Sequence, residues 1–317
     1  MTIHTLLDCL QALTEQEKNS FNIISDRVFY LKELKDVDKT TYDRVGNFDL
    51  HTIDVRWTNL CNFACVYCGP QFSSKWASEL NINQDVPTEE QRAKFKDYIF
   101  KHAGQLKHVY LAGGEPLLMK ENLDLLRQLN PDVNLRINTN LSKVNTGVFE
   151  AVCQFKNVHW TVSIETMEDE FEYIRFGGKW ADFLDNLNVI KELGHKISFN
   201  MLHFLLNYNS IFNCIEFLQR QGFHNNSFIV GALTTPEQWN VRHLPDHILE
   251  QIKQRLQEEI DLQPGYLLEN GLRNVLSYIQ QPFNKQLNNS LAYIAEMDQR
   301  RGLNSRSVFT KFYNDIK

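Results

Sequence analysis

The chain has 317 residues, 43% of them hydrophobic and 23% charged, with a net charge of −6. That length admits one large α/β domain with appendages. The acidic balance offers no basic field for nucleic acid or anionic lipid, and no apolar run of about 18 residues marks a membrane span.

Residues 1–13 carry His4, Asp8 and Gln11 and lack a basic start, so no signal peptide is expected. A cytoplasmic location is the default, and there cysteines read as metal ligands or catalytic groups rather than disulfides. Leu6, Leu7, Leu10 and Leu13 lie at helical spacing. They predict a short amphipathic helix in an N-terminal segment, 1–45, with a charged connection at 32–44.

From residue 52 the patterns alternate. A strand at 52–58 leads into a cysteine-rich loop. A helix at 88–102 has Thr88 as N-cap and Gln91 three residues later, a capping box. A strand at 107–112 ends at Gly113 and Gly114, and a helix at 120–129 stops at Asn130-Pro131. A strand at 133–139, a helix at 146–155 and a strand at 158–164 follow. The helix at 180–193 is closed by Gly194, the strand at 196–205 comes next, and Gly222 closes the helix at 211–221. A strand at 227–230 ends the series. Six strands separated by helices predict a parallel sheet with right-handed crossovers. Six units fall short of a closed eight-stranded barrel. The predicted fold is therefore an α/β partial (β/α)6 parallel barrel over 46–235. Beyond Pro236, helical patterns at 247–260, 267–280 and 291–300 predict a mostly helical C-terminal extension, 236–317.

Cys61, Cys65 and Cys68 form a C-x3-C-x2-C run. Three closely spaced thiolates can hold three irons of a 4Fe–4S cluster and leave the fourth open to a small molecule. A structural zinc site would want a further Cys or His pair at a matched distance, and the chain offers no second C-x2-C. Cys9, Cys153 and Cys214 are isolated and read as small buried hydrophobes, with a hydrogen-atom donor as the functional alternative. Parallel sheets place ligands at the carboxyl ends of their strands. The cysteine loop, 113–116, Asn138, Asn140, Ser163 and Glu165 all fall at such ends. Ser163 and Glu165, two apart, share a strand face, whereas His203 lies three from Asn200 and faces the other way as a structural residue.

The cysteine run with Tyr67 before its last member, followed by Gly113-Gly114-Glu115-Pro116 after the second strand, resembles radical S-adenosylmethionine (SAM) enzymes over about 50–235. Cys68-Gly69-Pro70 and the following Ser73-Ser74-Lys75-Trp76 look like the twitch/SPASM-like subgroup. The resemblance implies a 4Fe–4S cluster on Cys61, Cys65 and Cys68, these being the catalytic centre and the metal ligands. It implies SAM on the open iron, and hydrogen abstraction by a 5′-deoxyadenosyl radical from a peptide or small-molecule substrate. An external reductant such as flavodoxin or ferredoxin would supply the electron.

The cofactor residues follow from the same resemblance. Gly113 and Gly114 let backbone approach the methionine end, Glu115 accepts from its ammonium, and Pro116 stiffens the turn. Glu165 suits the ribose diol. Ser163 and Arg175 suit the methionyl carboxylate. Asn200 is a polar residue among apolar neighbours and fits near ribose, while Tyr67 and the backbone at Gly231 fit adenine. Each has a plainer alternative: a tight turn, a solvated strand end, an ion pair for Arg175, a backbone cap for Asn200, core packing for Tyr67. Residues 215–317 contain no cysteine, so the auxiliary cluster of SPASM relatives is not expected. Two other readings are an activase that installs a glycyl radical on a partner protein, and a non-catalytic iron–sulfur module.

Overall fold

The structure is a computed structural model that describes residues 50–84, 86–262 and 266–317. The N-terminal amphipathic helix, the charged connection and Cys9 lie outside the described residues.

In chain order the elements are β1 (Thr52–Val55), α1 (Ser74–Glu79), α2 (Glu89–His102), β2 (His108–Leu111), α3 (Lys120–Leu126) and β3 (Asn134–Thr139). Then come α4 (Gly147–Val152), β4 (Asn157–Ser163), α5 (Glu168–Ile174), α6 (Trp180–Glu192), β5 (Lys196–His203), α7 (Ser210–Arg220) and β6 (Phe228–Ala232). The helical region that follows holds α8 (Asp246–Leu262), α9 (Leu267–Gln280), α10 (Leu287–Arg301), α11 (Ser305–Val308) and α12 (Thr310–Asp315). All six predicted strands form, with ends shifted by up to three residues.

The predicted capping box of α2 forms in full. Thr88 Oγ1 accepts from the Gln91 amide at 3.2 Å, and Gln91 Oε1 accepts from the Thr88 amide at 2.8 Å. Gly194 and Gly222 close α6 and α7 with φ of 69° and 91°, the left-handed conformation that glycine adopts without strain. Four short helices, α1, α5, α11 and α12, were not predicted. Each has seven residues or fewer and shows little periodicity; α3 and α4, equally short, are marked by the strands and turn residues flanking them.

The six strands are all parallel and lie in sequence order, β1-β2-β3-β4-β5-β6. Val109, Leu111, Leu135, Ile137, Trp160, Val162, Phe199 and Met201 are buried in the main core. The alternate positions Tyr110, Arg136, Asn138, His159, Ser163 and Asn200 are only half-buried. This period-2 split gives the sheet one apolar face under the helices and one polar face, the lining of a partial barrel. Burial of each large apolar side chain contributes about 1.5–3 kcal/mol, and Trp160 and Phe199 are sealed completely.

The helical region packs into the same core. Gly271 on α9 passes so close to β6 that a Cβ there would sit 2.7 Å from the Val230 carbonyl oxygen. Farther on, α10 and α11 reach back toward α5 and α1. Tyr173 donates to Asp298 at 2.8 Å, and Arg300 and Arg301 donate to Glu79 at 2.6 and 3.0 Å. Among the described residues no helix is long and apolar enough to cross a membrane.

Candidate cofactor site

The cysteine loop leaves β1 and is held from three directions. Ala64 and Val66 donate to the carbonyls of Phe176 and Ile174, both at 2.8 Å, which ties the loop to the end of α5. Ser74 Oγ accepts from the Cys61 amide at 3.0 Å, and Ser73 Oγ donates to the Phe63 carbonyl at 2.6 Å. Buried Trp76 donates from its indole to the Cys65 carbonyl at 2.7 Å. The backbone is thus fixed without using the thiols. Cys61, Cys65 and Cys68 remain free and partly exposed. Burial pushes the Cys61 thiol up to about 11, and burial raises Cys65 and Cys68 as well.

Gly113 and Gly114 cross directly over this loop. A Cβ on Gly114 would lie 2.1 Å from the Leu60 carbonyl oxygen, and one on Gly113 would lie 3.0 Å from that of Thr58. Gly113 also has φ of 120°. The crowding at both positions comes from the chain entering the cysteine run, a demand the sequence reading did not foresee. The Glu115 amide then donates to the Leu60 carbonyl at 2.7 Å. Pro116 opens the turn that follows, and Asn122 grips it by donating to the Pro116 carbonyl at 2.9 Å while accepting from Trp57 at 2.8 Å.

Glu115 is fully buried. Its carboxylate accepts from the Leu117 amide, the Thr139 hydroxyl and the Asn140 amide at 3.1, 2.8 and 2.7 Å. Burial still outweighs those three donors and pushes the carboxyl up to about 7. Asn140 continues the chain of contacts: its Nδ2 donates to Asn62 Oδ1 at 3.1 Å and lies 3.9 Å from Cys61 Sγ.

A second chain of contacts reaches Cys65. Strand β4 ends at Ser163, and Glu165 turns inward beyond it to meet Arg175. Arg175 Nε and Nη2 each donate to Glu165 at 2.8 Å, and Nη2 also donates to the Tyr67 hydroxyl at 2.8 Å. Tyr67 in turn donates to Glu165 Oε1 at 2.9 Å. Arg175 Nη1 lies 4.0 Å from Cys65 Sγ. The carboxylate that Arg175 engages here is therefore Glu165, the ion-pair alternative of the sequence reading. Burial raises the Glu165 carboxyl, and Arg175 and the hydroxyl of Tyr67 work against that rise.

Ser163 and Asn200 sit opposite each other on β4 and β5, both half-buried on the polar face. Gly231 lies on β6 opposite Leu202, with open space where a side chain would project. Asn138 Oδ1 is buried on the polar face with no protein partner. His203 faces the other way: its ring packs near Phe212 and its Nε2 meets the Tyr208 carbonyl at 2.9 Å. Cys214 is buried on α7 with its thiol toward the Thr166 carbonyl, and Cys153 caps α4.

The site also depends on residues that sequence reasoning did not assign. Asn62, Asn122 and Trp57 act through contacts 65 to 80 positions away, and only burial of a polar side chain would have marked them. Ser73, Ser74 and Trp76 belong to the run Ser73-Ser74-Lys75-Trp76, in which nothing marks them as anchors of the loop backbone.

Among the described residues no three His, Cys, Asp or Glu side chains converge as the shell of a single metal ion would. A polynuclear cluster spreads its thiolates over separate irons and needs no such convergence. Three thiols in one pinned loop, with N–H donors aimed at two of the sulfurs, fit that group.

A family model described as the Radical SAM superfamily matches residues 55–218. Among curated proteins, a GTP 3′,8-cyclase of Sulfurimonas denitrificans is 27% identical over 191 residues, 57% of this chain and 55% of that protein. A 7-carboxy-7-deazaguanine synthase of Clostridium acetobutylicum is 31% identical over 133 residues, 41% of this chain and 54% of that protein. The chain spans about half the length of the curated relatives it matches. A solved structure described as native anSMEcpe with bound AdoMet superposes with a TM-score of 0.50 at 12% identity, covering 68% of this chain and 62% of that one. At that identity the likeness concerns the fold, a partial barrel.

Proposed function

The chain belongs to the radical SAM superfamily, and from that premise we propose that Cys61, Cys65 and Cys68 hold its 4Fe–4S cluster for hydrogen abstraction from a small molecule. The protein is an enzyme, and its cofactors are that cluster and SAM. When bound, they supply one electron and a 5′-deoxyadenosyl radical that takes a hydrogen atom from substrate.

The chain's own residues have distinct tasks in this proposal. Glu115, already inside a cage of three donors, offers the methionyl ammonium a fixed negative partner. Arg175 and Tyr67 hold Glu165 in one orientation next to the cysteine loop. Glu165, Ser163 and Asn200 line the path for ribose and the methionyl carboxylate, and Tyr67 and Gly231 border the adenine. Gly113, Gly114 and Pro116 keep the strand-end turn against the cysteine loop, which fixes Glu115 relative to the cluster ligands. One observation carries the proposal: two independent contact chains, through Glu115–Asn140 and through Glu165–Arg175, converge on sulfurs of one loop at the carboxyl ends of parallel strands.

The relatives' names, a cyclase of GTP and a deazaguanine synthase, favour a small molecule over the peptide side chain suggested by the SPASM-like motifs. A low-potential donor such as flavodoxin or ferredoxin would deliver the electron, in a reducing cytoplasm that keeps the thiols free. The test is anaerobic reconstitution, reduction with dithionite and addition of SAM, with 5′-deoxyadenosine measured by mass spectrometry. Product is expected from the native chain and none from Cys65→Ala, which should also lose the cluster. A cluster-loaded native protein that leaves SAM intact would overturn the proposal.

A further inference from the structure

Asn140 ends the contact chain that runs from Glu115 to the Cys61 sulfur, and its side chain is tightly constrained beside the cysteine loop. It is 8% exposed. Its backbone amide is fixed on Glu115 Oε2 at 2.7 Å. Its Oδ1 accepts from the Ser142 amide at 2.9 Å, an Asx turn around Leu141, whose φ is 55°. With the oxygen committed there, the amide has one orientation left. Nδ2 faces Asn62 Oδ1 at 3.1 Å with one proton and Cys61 Sγ at 3.9 Å with the other. Flipping the amide would set a carbonyl oxygen against the sulfur and forfeit both other contacts. Ser142 Oγ, which accepts from Asn62 Nδ2 at 2.9 Å, holds the partner amide in turn.

We propose that Asn140 donates an N–H···S hydrogen bond to the Cys61 thiolate of the cluster and thereby raises the cluster's reduction potential. The inference rests on the assignment of Cys61 as a cluster ligand. Adding one electron increases the negative charge on the cluster and its thiolate sulfurs. A donor fixed at one of those sulfurs stabilises the reduced form more than the oxidised form, so the potential rises. Asn140 suits this role because it is neutral: its dipole acts on the sulfur without a counter-charge to cancel it. Arg175, near Cys65, has its charge matched by Glu165.

Asn140→Leu keeps the bulk and removes the donor. Asn140→Asp replaces the donor with a negative group. The potential of each reconstituted protein, without SAM, is read by redox titration followed by electron paramagnetic resonance. The expected order is native highest, Asn140→Leu more negative and Asn140→Asp more negative still, at equal iron and sulfide per chain. A midpoint for Asn140→Leu equal to the native one would overturn the proposal. Should Asn140→Leu not retain its cluster, the Asn62→Ala protein labelled with side-chain ¹⁵N asparagine decides instead. Its reduced cluster should show a ¹⁵N hyperfine coupling, and absence of that coupling overturns the proposal. Failure of the native chain itself to hold iron would instead sink the ligand assignment.

Discussion

Arg175 grips Glu165 through two N–H···O bonds of 2.8 Å, with both side chains at most 3% exposed. A guanidinium and a carboxylate in this fork geometry satisfy each other well, but neither tolerates losing its partner in a dry setting. Arg175→Ala should therefore destabilise the cofactor-free protein by about 3–5 kcal/mol. Chemical denaturation under anaerobic conditions measures this. Arg175→Met combined with Glu165→Leu should cost clearly less than the two single changes summed, because no stranded charge remains.

Glu115 gives SAM affinity a pH dependence of known sign. Burial raises its carboxyl from 4.5 to about 7, so at pH 6 the folded protein holds it mostly neutral. An ammonium prefers the carboxylate, so binding must first release that proton. Affinity for SAM should rise up to about tenfold from pH 6 to pH 8 and level off above. In the cofactor-free protein the sign reverses. A raised carboxyl contributes stability that is fully present below about 4.5 and is lost as pH rises through about 7. Calorimetric titration with SAM across this range is the measurement, and Glu115→Gln should bind more weakly and without the slope.

Gly114→Ala tests the crossing of the strand-end turn over the cysteine loop. The new methyl group would meet a backbone carbonyl at 2.1 Å, so one of the two segments must move. A stability loss of at least about 1–3 kcal/mol is expected, with reduced iron per chain after reconstitution. Gly231→Ala, where the space is open, is the control and should fold and load normally.

Glu79 ties α1 to α10. Partial burial raises its carboxyl, but hydrogen bonds from Arg301 and Arg300 prevail and hold it below the usual carboxylate range. Glu79→Gln should cost about 1–3 kcal/mol at pH 7. A depressed carboxyl contributes stability above its unfolded value near 4.5 and loses it as pH falls through its lower folded value. The gap between native and variant melting temperatures should therefore close as the pH falls below about 4.

The parts of this fold that were legible in the sequence are local. Six strands read from β-prone runs ending in turn residues, and the Thr88/Gln91 box and the Gly194 and Gly222 closures each depend on residues a few positions apart. The candidate site was legible as residue types at strand ends, since period and turn chemistry put them there. Its wiring was not. Glu165 and Arg175 were both singled out, but sequence spacing carries no sign that they face each other. Asn122 and Trp57 meet across 65 positions, and Asn62 and Ser142 across 80. Such pairs exist only once the sheet has set β1, β2 and β3 side by side.

The Glu79–Arg301 contact also constrains the order in which the protein can mature. Its partners are 222 positions apart, so a ribosome releases α1 long before α10 exists. Trp76, whose indole holds the Cys65 carbonyl, lies beneath the Arg301 guanidinium at 4.5 Å. A nascent chain paused before α10 would thus present its three thiols on a loop missing one of its supports. Stable iron–sulfur insertion should follow the emergence of α10 rather than precede it.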